Sequence, residues 1–262
     1  MFETRRLSSK IVIQAVLTFL AVLYILPLVQ AVSASFAGKG WGNYEAIFAT
    51  GMVPTFFRNS VFLSAGAIAI VVTMTLLAAF GFSKLRIRGK EIFFWGLLVA
   101  LTLPEVVLLV PLFLTTQRLG LFNTLLSVML PLAALQIPFA TLLTRNFFDG
   151  VPNELLEAGR IDGANIVQVF CHIVVPLTKP IIAAIVVLTL INSWNSYLLP
   201  VVFLRDTSQQ VVTLLPSFFV SEFTNDQTKV MAAAVVTAVP EIVAYICLQK
   251  YFERGLSAGA LK

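Results

Sequence analysis

Six apolar runs, each about long enough to cross the hydrocarbon of a bilayer, frame this chain: roughly 11–34, 57–82, 92–116, 124–143, 181–199 and 230–248. Lipid offers no water to backbone N–H and C=O groups, so each run must bond to itself as an α-helix. The 262 residues are 58% hydrophobic and 12% charged, with a mean hydropathy of +0.92, outside the mixture of a soluble domain. The expectation is an all-α membrane protein of six transmembrane helices, one domain over 1–262. The first run follows Arg5, Arg6 and Lys10 and ends in Val32, Ser33 and Ala34, which imitates a signal peptide. It is too long for an ordinary signal core, and retention as a span is expected.

The net charge of +5 brings no nucleic-acid partner, because the basic residues are scattered over short connections without interleaved aromatics. They set orientation instead. With six spans, Arg5, Arg6, Lys10, Lys84, Arg86, Arg88, Lys90, Arg145, Arg160, Lys179, Lys250, Arg254 and Lys262 share one side, and Lys39, Arg58, Arg118, Arg205 and Lys229 the other. Such asymmetry puts the first side, with both termini, in the cytoplasm. Cys171 and Cys247 lack metal-ligand spacing and are expected as free thiols on or near that reducing side.

The longest polar-rich interruption, Val151 to Pro180, lies between the fourth and fifth spans within a loop of 147–180, on the cytoplasmic side. Pro152 suits a helix start, with Asn153 as cap. Leu155, Leu156, Ala158 and Gly159 give a short helix a small apolar side, while Glu154, Glu157 and Arg160 lie on another. Gly163 suits the left-handed corner that ends such a helix, and Asp162 is placed to cap the next. There Ile166, Val169, Phe170 and Ile173 follow helical spacing, with Asn165, Gln168 and His172 on a polar stripe. Pro176 and Pro180 bracket the exit. Two short helices meeting at a glycine form a knob that another protein can push or pull.

Glu157-Ala158-Gly159, Gly163, Ile173 and Val175-Pro176, at this spacing, resemble the EAA loop of the ABC importer permeases. Gly159 stands where the family has its second alanine and Val175 where it has leucine. Further words, GLFNTLL (120–126), FFDGVPNELLEAGRIDGA (147–164), SWNSYLLP (193–200) and RGLSAGALK (254–262), are similar to the maltose-permease-like carbohydrate branch over nearly the whole chain. The resemblance implies an inner-membrane permease subunit that moves a sugar or sugar derivative. It implies as partners a second, homologous permease subunit, two ATPase subunits and an extracytoplasmic binding protein. Glu157, Ala158, Gly159, Asp162, Gly163, Ala164, Ile173 and Pro176 would couple to the ATPase. The tail of 249–262, through Gly255, Ser257 and Gly259, would reach between the ATPase subunits. ATP and Mg would be used by the partner ATPase, and this chain would bind no cofactor.

Candidate pathway residues lie in the spans themselves. Glu105 stands near the middle of the third, where a carboxylate faces water or a partner, or is held by a hydrogen bond or as a neutral acid. Asn192, Asn195, Ser196 and Leu199 share one face of the fifth and Trp194, Tyr197 and Leu198 another; such residues bind and stack on sugars, and equally bridge helices. In the sixth, Thr237, Glu241 and Tyr245 form a stripe beside Pro240, and Glu241 departs from the family's usual apolar residue; it faces pathway or partner, or is held by local hydroxyls. Small residues Ser64, Ala65, Gly66, Ala78, Ala79 and Gly81 suit close helix packing in the second. Ser35 to Thr55 reads as an outer loop, as does Arg205 to Lys229 with a short amphipathic helix at Leu214 to Phe223.

Catalysis is excluded more firmly. Gly89-Lys90 lacks the earlier glycine of a Walker A loop, and a single histidine, His172, leaves no metal cluster or hydrolytic triad. An ion-driven carrier relaying charge through Glu105 and Glu241 is the rival function, but it has no use for a docking knob.

Overall fold

The computed structural model describes residues 7–220 and 226–260, and of residues 7, 8 and 251–260 the backbone alone. The helices are α1 (Leu7–Ser35), α2 (Trp41–Ala49), α3 (Met52–Lys84), α4 (Lys90–Val99), α5 (Glu105–Arg118) and α6 (Leu125–Asp149). They continue with α7 (Asn153–Ile161), α8 (Ile166–Val169), α9 (Val175–Leu177), α10 (Lys179–Trp194), α11 (Leu198–Phe203) and α12 (Gln227–Ala260). Among the described residues, four helices are long and apolar enough to cross a membrane, or up to six if each of two bent pairs is one span. One pair, Lys90–Thr102 with Glu105–Arg118, bends by 107°; the other, Ile166–Leu177 with Lys179–Trp194, by 75°.

The first bend changes the expected third span. Leu103, ahead of proline, is extended at φ −86° and ψ 119°, because the proline ring disfavours helical geometry in the residue before it. Glu105 is therefore not mid-helix: it opens α5, directly after the break. A second break shortens the expected fifth span, since α10 stops at Trp194 and a new turn, α11, starts at Leu198.

The chain divides into two compact units, Met1–Gly51 with Leu215–Val239, and Met52–Leu214 with Pro240–Lys262. In the first, the apolar window of α1 is 0% buried. Its end is tied down by Asn43, whose Nδ2 donates to the carbonyls of Ser35 (2.9 Å) and Ala37 (2.8 Å), and by the rings of Phe36, Trp41 and Tyr44. The expected outer loop of Ser35 to Thr55 thus contains a helix, α2. Asp226 accepts from Thr228 Oγ1 (2.7 Å) at the start of α12, and this bond, with a second from Lys229, pulls its carboxyl down to about 2.

The second unit is built on α3. Leu63, Ala67 and Val71 recur every fourth residue and are all buried; the first two pack with Val128 and Leu132 of α6, and Val71 with Ala133 and Ala140 of α6 and Ala184 and Ile185 of α10. Small residues permit this approach. A Cβ at Gly66 would lie 2.4 Å from Met129 Sδ and Cε, whereas Ala65 is exposed and nothing stands within 4 Å of a Cβ at Gly81. The connections are stitched by side chains. Asn59 Nδ2 donates to the carbonyls of Ser208 and Gln210, both at 2.8 Å, Ser60 Oγ accepts from Val212 N at 2.9 Å, and Asn123 Oδ1 accepts from the backbone N–H groups of Arg205 (2.8 Å) and Asp206 (2.9 Å).

Two further expectations shift. The amphipathic helix placed at Leu214 to Phe223 is a 3₁₀ segment over Val212–Phe219, and its last residues, 221–223, lie outside the described residues. Within the expected tail of 249–262 the backbone is helical, because α12 continues to Ala260. Gly66→Ile should destabilise the purified protein by about 1–3 kcal/mol through overpacking against Met129. A lowered thermal midpoint in detergent, partly restored by adding Met129→Ala, checks this contact; an unchanged midpoint refutes it.

Candidate functional sites: a glycine-cornered elbow and a polar groove

The polar interruption forms an elbow. Pro152 itself takes the position before α7, so Asn153 is the first helical residue and not the cap; its Oδ1 accepts from Lys84 Nζ at 3.1 Å. At the far end Gly163 is left-handed, with φ +85°. Ala164 N donates to Gly159 O at 2.9 Å and Gly163 N to Arg160 O at 3.0 Å, the paired bonds of a Schellman ending that satisfy carbonyls a helix end leaves open. Asp162 closes α7 and does not cap α8. Asn165 does: its Oδ1 accepts from Gln168 N (2.9 Å), and its own N–H donates to Gln168 Oε1 (2.8 Å).

The second arm is not one continuous α-helix. After α8 the chain makes a π-turn over Phe170–Val174, which inserts a residue and moves the buried position from Ile173 to Val174, at 0% exposure like Val169. Ile173 instead lies against Gly159, where a Cβ would come within 2.5 Å of Ile173 Cδ1. That closeness accounts for glycine at this place. Pro176 sits in α9, just ahead of the 75° turn into α10.

One face of the elbow is fixed to the bundle and the other is open. Leu156, Val169 and Val174 are buried with Leu76, Ala79 and Phe80 of α3 and Phe148 of α6, and Ala164 and Ile173 pack against the same cluster. Lys84 Nζ donates to Val151 O at 2.7 Å, and Ser83 Oγ to Asp149 Oδ1 at 2.6 Å. Glu157, Ala158, Arg160 and Asp162 are exposed, and Ile161 is 86% exposed. A cleft of about 390 Å³ opens at the corner, lined by Gly159, Asp162, Gly163, Gln168 and His172 among others. His172 is exposed, its Nδ1 3.2 Å from Gln168 O. Beside the elbow, Arg145 Nη2 reaches both carboxylate oxygens of Glu91 (2.8 and 2.9 Å), and its guanidinium lies 4.0 Å from the Phe94 ring centroid. These anchors, Ser83, Lys84, Glu91 and Arg145, escape sequence reasoning because each is paired with a residue 54 to 69 positions away.

The second site is a groove among α5, α6 and α10. Glu105, Gln136, Asn192, Asn195, Ser196 and Tyr197 supply its polar lining around about 320 Å³. An adjoining hollow of about 220 Å³ shares Leu135, Gln136 and Asn192. Asn195 Nδ2 donates to Glu241 Oε1 at 2.5 Å, so a neighbouring helix holds Glu241. Trp194 is only 7% exposed, outside the lining, with Phe57 edge-on at 6.0 Å. Gln136 is the residue that sequence reasoning missed. Its signal is a lone carboxamide in the apolar run between Pro131 and Pro138.

Both cysteines are free and exposed, and among the described residues no group of three or more His, Cys, Asp and Glu side chains is arranged to hold a metal. The side chains of Gly255, Ser257 and Gly259 lie outside the described residues.

The sequence profile of the family described as "Binding-protein-dependent transport system inner membrane component" matches residues 75–258. The arabinooligosaccharides transport system permease protein AraQ of Halalkalibacterium halodurans is 30% identical over 262 residues, 93% of each chain. The sn-glycerol-3-phosphate transport system permease protein UgpE of Shigella flexneri is 36% identical over 187 residues, 71% of this chain and 66% of its own. In fold, the chain is similar to a subunit of a bacterial ABC transporter involved in the import of the acidic polysaccharide alginate, with a TM-score of 0.81 at 24% identity, over 96% of this chain and 99% of that one. The profile match spans most of the chain, and the protein belongs to the family of binding-protein-dependent transport system inner membrane components, the permease subunits of ABC importers.

Proposed function

We propose that this permease subunit carries a sugar or sugar derivative inward, using six crossings formed by α1, α3, the bent pair α4–α5, α6, α10 and α12. Its single domain would keep both termini and the elbow in the cytoplasm, an orientation supported by the placement of basic residues. The cargo class is supported by relatives named for arabinooligosaccharides, diacetylchitobiose and lactose. A second homologous permease subunit completes the membrane pair, two ATPase subunits bind ATP and Mg, and an extracytoplasmic binding protein delivers the solute. This chain binds no cofactor.

One observation carries the reading: an elbow cornered at Gly163 whose one face is bound to α3 and α6 and whose other face is open. The ATPase docks on the open face, at Glu157, Ala158, Asp162 and the cleft by Gly163. Leu156 and Gly159 couple that face to the bundle, with Ile173 wedged beneath. When the ATPase pair closes, the elbow moves as a body and carries the ends of α3, α6 and α10, so the groove opens outward and inward in turn. The free energy enters through contacts that differ between the two states. The tail, with Gly255, Ser257 and Gly259, reaches between the ATPase subunits. Family membership favours this account over an ion-driven carrier based on Glu105 and Glu241.

Glu157→Lys should cut co-purification of the ATPase with the permease at least several-fold; an unaltered pull-down would sink the direct contact. Gly163→Val puts a β-branched residue at φ +85°, a strain of about 1–2 kcal/mol, and should leave ATP hydrolysis while lowering uptake, or block assembly. Lys84→Met removes the anchor without touching the docking face. It should preserve ATPase binding and reduce solute moved per ATP, whereas lost binding with normal coupling in the residual complex would contradict the division of roles.

A further inference from the structure

The lining of the groove among α5, α6 and α10 specifies a ligand chemistry. It holds one carboxylate, Glu105, and the carboxamides of Gln136, Asn192 and Asn195, and among the described residues no Lys or Arg lines it. A second carboxylate, Glu241, is bonded to Asn195. Gln136 Nε2 is buried with no hydrogen-bond acceptor, and Gln136 is shared by both hollows. A buried donor without a partner is costly and sets a requirement on whatever enters.

A hydroxyl donates and accepts, so a hydroxyl-bearing ligand satisfies the Gln136 donor and the Glu105 acceptor together. An anionic oxygen would serve only the donor and would face a carboxylate with no cation beside it. An ammonium group would serve only the carboxylate. We infer that this groove is a solute subsite for an uncharged polyhydroxylated ligand, a neutral oligosaccharide, with Gln136 donating to one hydroxyl oxygen and Glu105 accepting from another hydroxyl. It discriminates against acidic sugars and phosphate diesters. The inference rests on the importer reading and narrows it, because relatives of this chain are named for neutral and for anionic cargo alike.

Thiol chemistry on the complete complex tests the subsite. Ser196→Cys places a thiol in the lining, in a background of Cys171→Ser and Cys247→Ser. Its modification is timed with trimethylammonium-ethyl and with sulfonatoethyl methanethiosulfonate, each normalised to the same reagent's rate with mercaptoethanol. The cationic reagent should be favoured by on the order of tenfold, and Glu105→Gln should erase most of that ratio. Equal rates, a faster anionic reagent, or no modification by either would overturn the inference. Lactose, raffinose and arabinotriose are then offered as protectants beside an alginate oligomer and a glycerophosphodiester. At least one neutral sugar should slow modification several-fold, and Gln136→Leu should abolish that protection while leaving the reagent ratio intact. Protection by an acidic compound alone, or by no neutral sugar, would overturn the subsite. Thiol labelling needs no ATP, so failed ATP-driven uptake would count against the importer reading alone, and equal reagent rates in a complex that still transports would count against the subsite alone.

Discussion

A backbone amide placed in hydrocarbon must find its partner inside the protein, and most of the architecture is a consequence of that. Where the helices run without a proline beyond the first turn, as in α3, the ladder satisfies itself and the surface is left for packing. Where they break, the freed groups must be covered by protein or face a polar cavity. The breaks before Glu105 and after Trp194 both contribute to the lining of one groove. At this groove irregular backbone and polar side chains therefore coincide.

The elbow solves the converse problem. It is polar enough to sit in water, yet it must not swing freely if it is to transmit force. Its rigidity comes from several small terms acting on different bonds: the Schellman closure, the Asn165–Gln168 capping box, the wedge of Ile173 on Gly159, and Leu156, Val169 and Val174 sunk among residues of α3 and α6. Lys84 adds a cationic tie from the end of α3, where a positive charge also suits the helix terminus. Leu156, Val169 and Val174 face the bundle, while the Schellman corner and Gln168 border the cleft, so Glu157, Ala158 and Asp162 are left exposed for a partner.

Apolar runs, the glycine corner and the family spacing were legible because each is local: hydropathy over about twenty residues, or one residue's need for positive φ. Gly163 is a case in point, with φ +85° as its place between two short helices requires. What escaped was non-local or depended on small choices of backbone. Asn153 and Asp162 looked like caps, but Pro152 and Asn165 hold those positions. The π-turn at Phe170–Val174 left no mark that periodicity could read, and it changed which residue is buried. Trp194, left open between sugar contact and helix packing, packs against Phe57, and Gln136, for which the apolar run raised no expectation, lines the groove. The ties of Lys84 and Arg145 join segments far apart in sequence, so their basic character spoke only of topology.

On the reading proposed above, the work of transport is done by the ATPase subunits and enters through this elbow. Proteoliposomes containing the permease pair and the binding protein, with and without the ATPase subunits, measure it most directly. The account predicts solute accumulation against a gradient only when the ATPase subunits and ATP are both present. Accumulation by the permease pair without them, driven by an ion gradient, would contradict it.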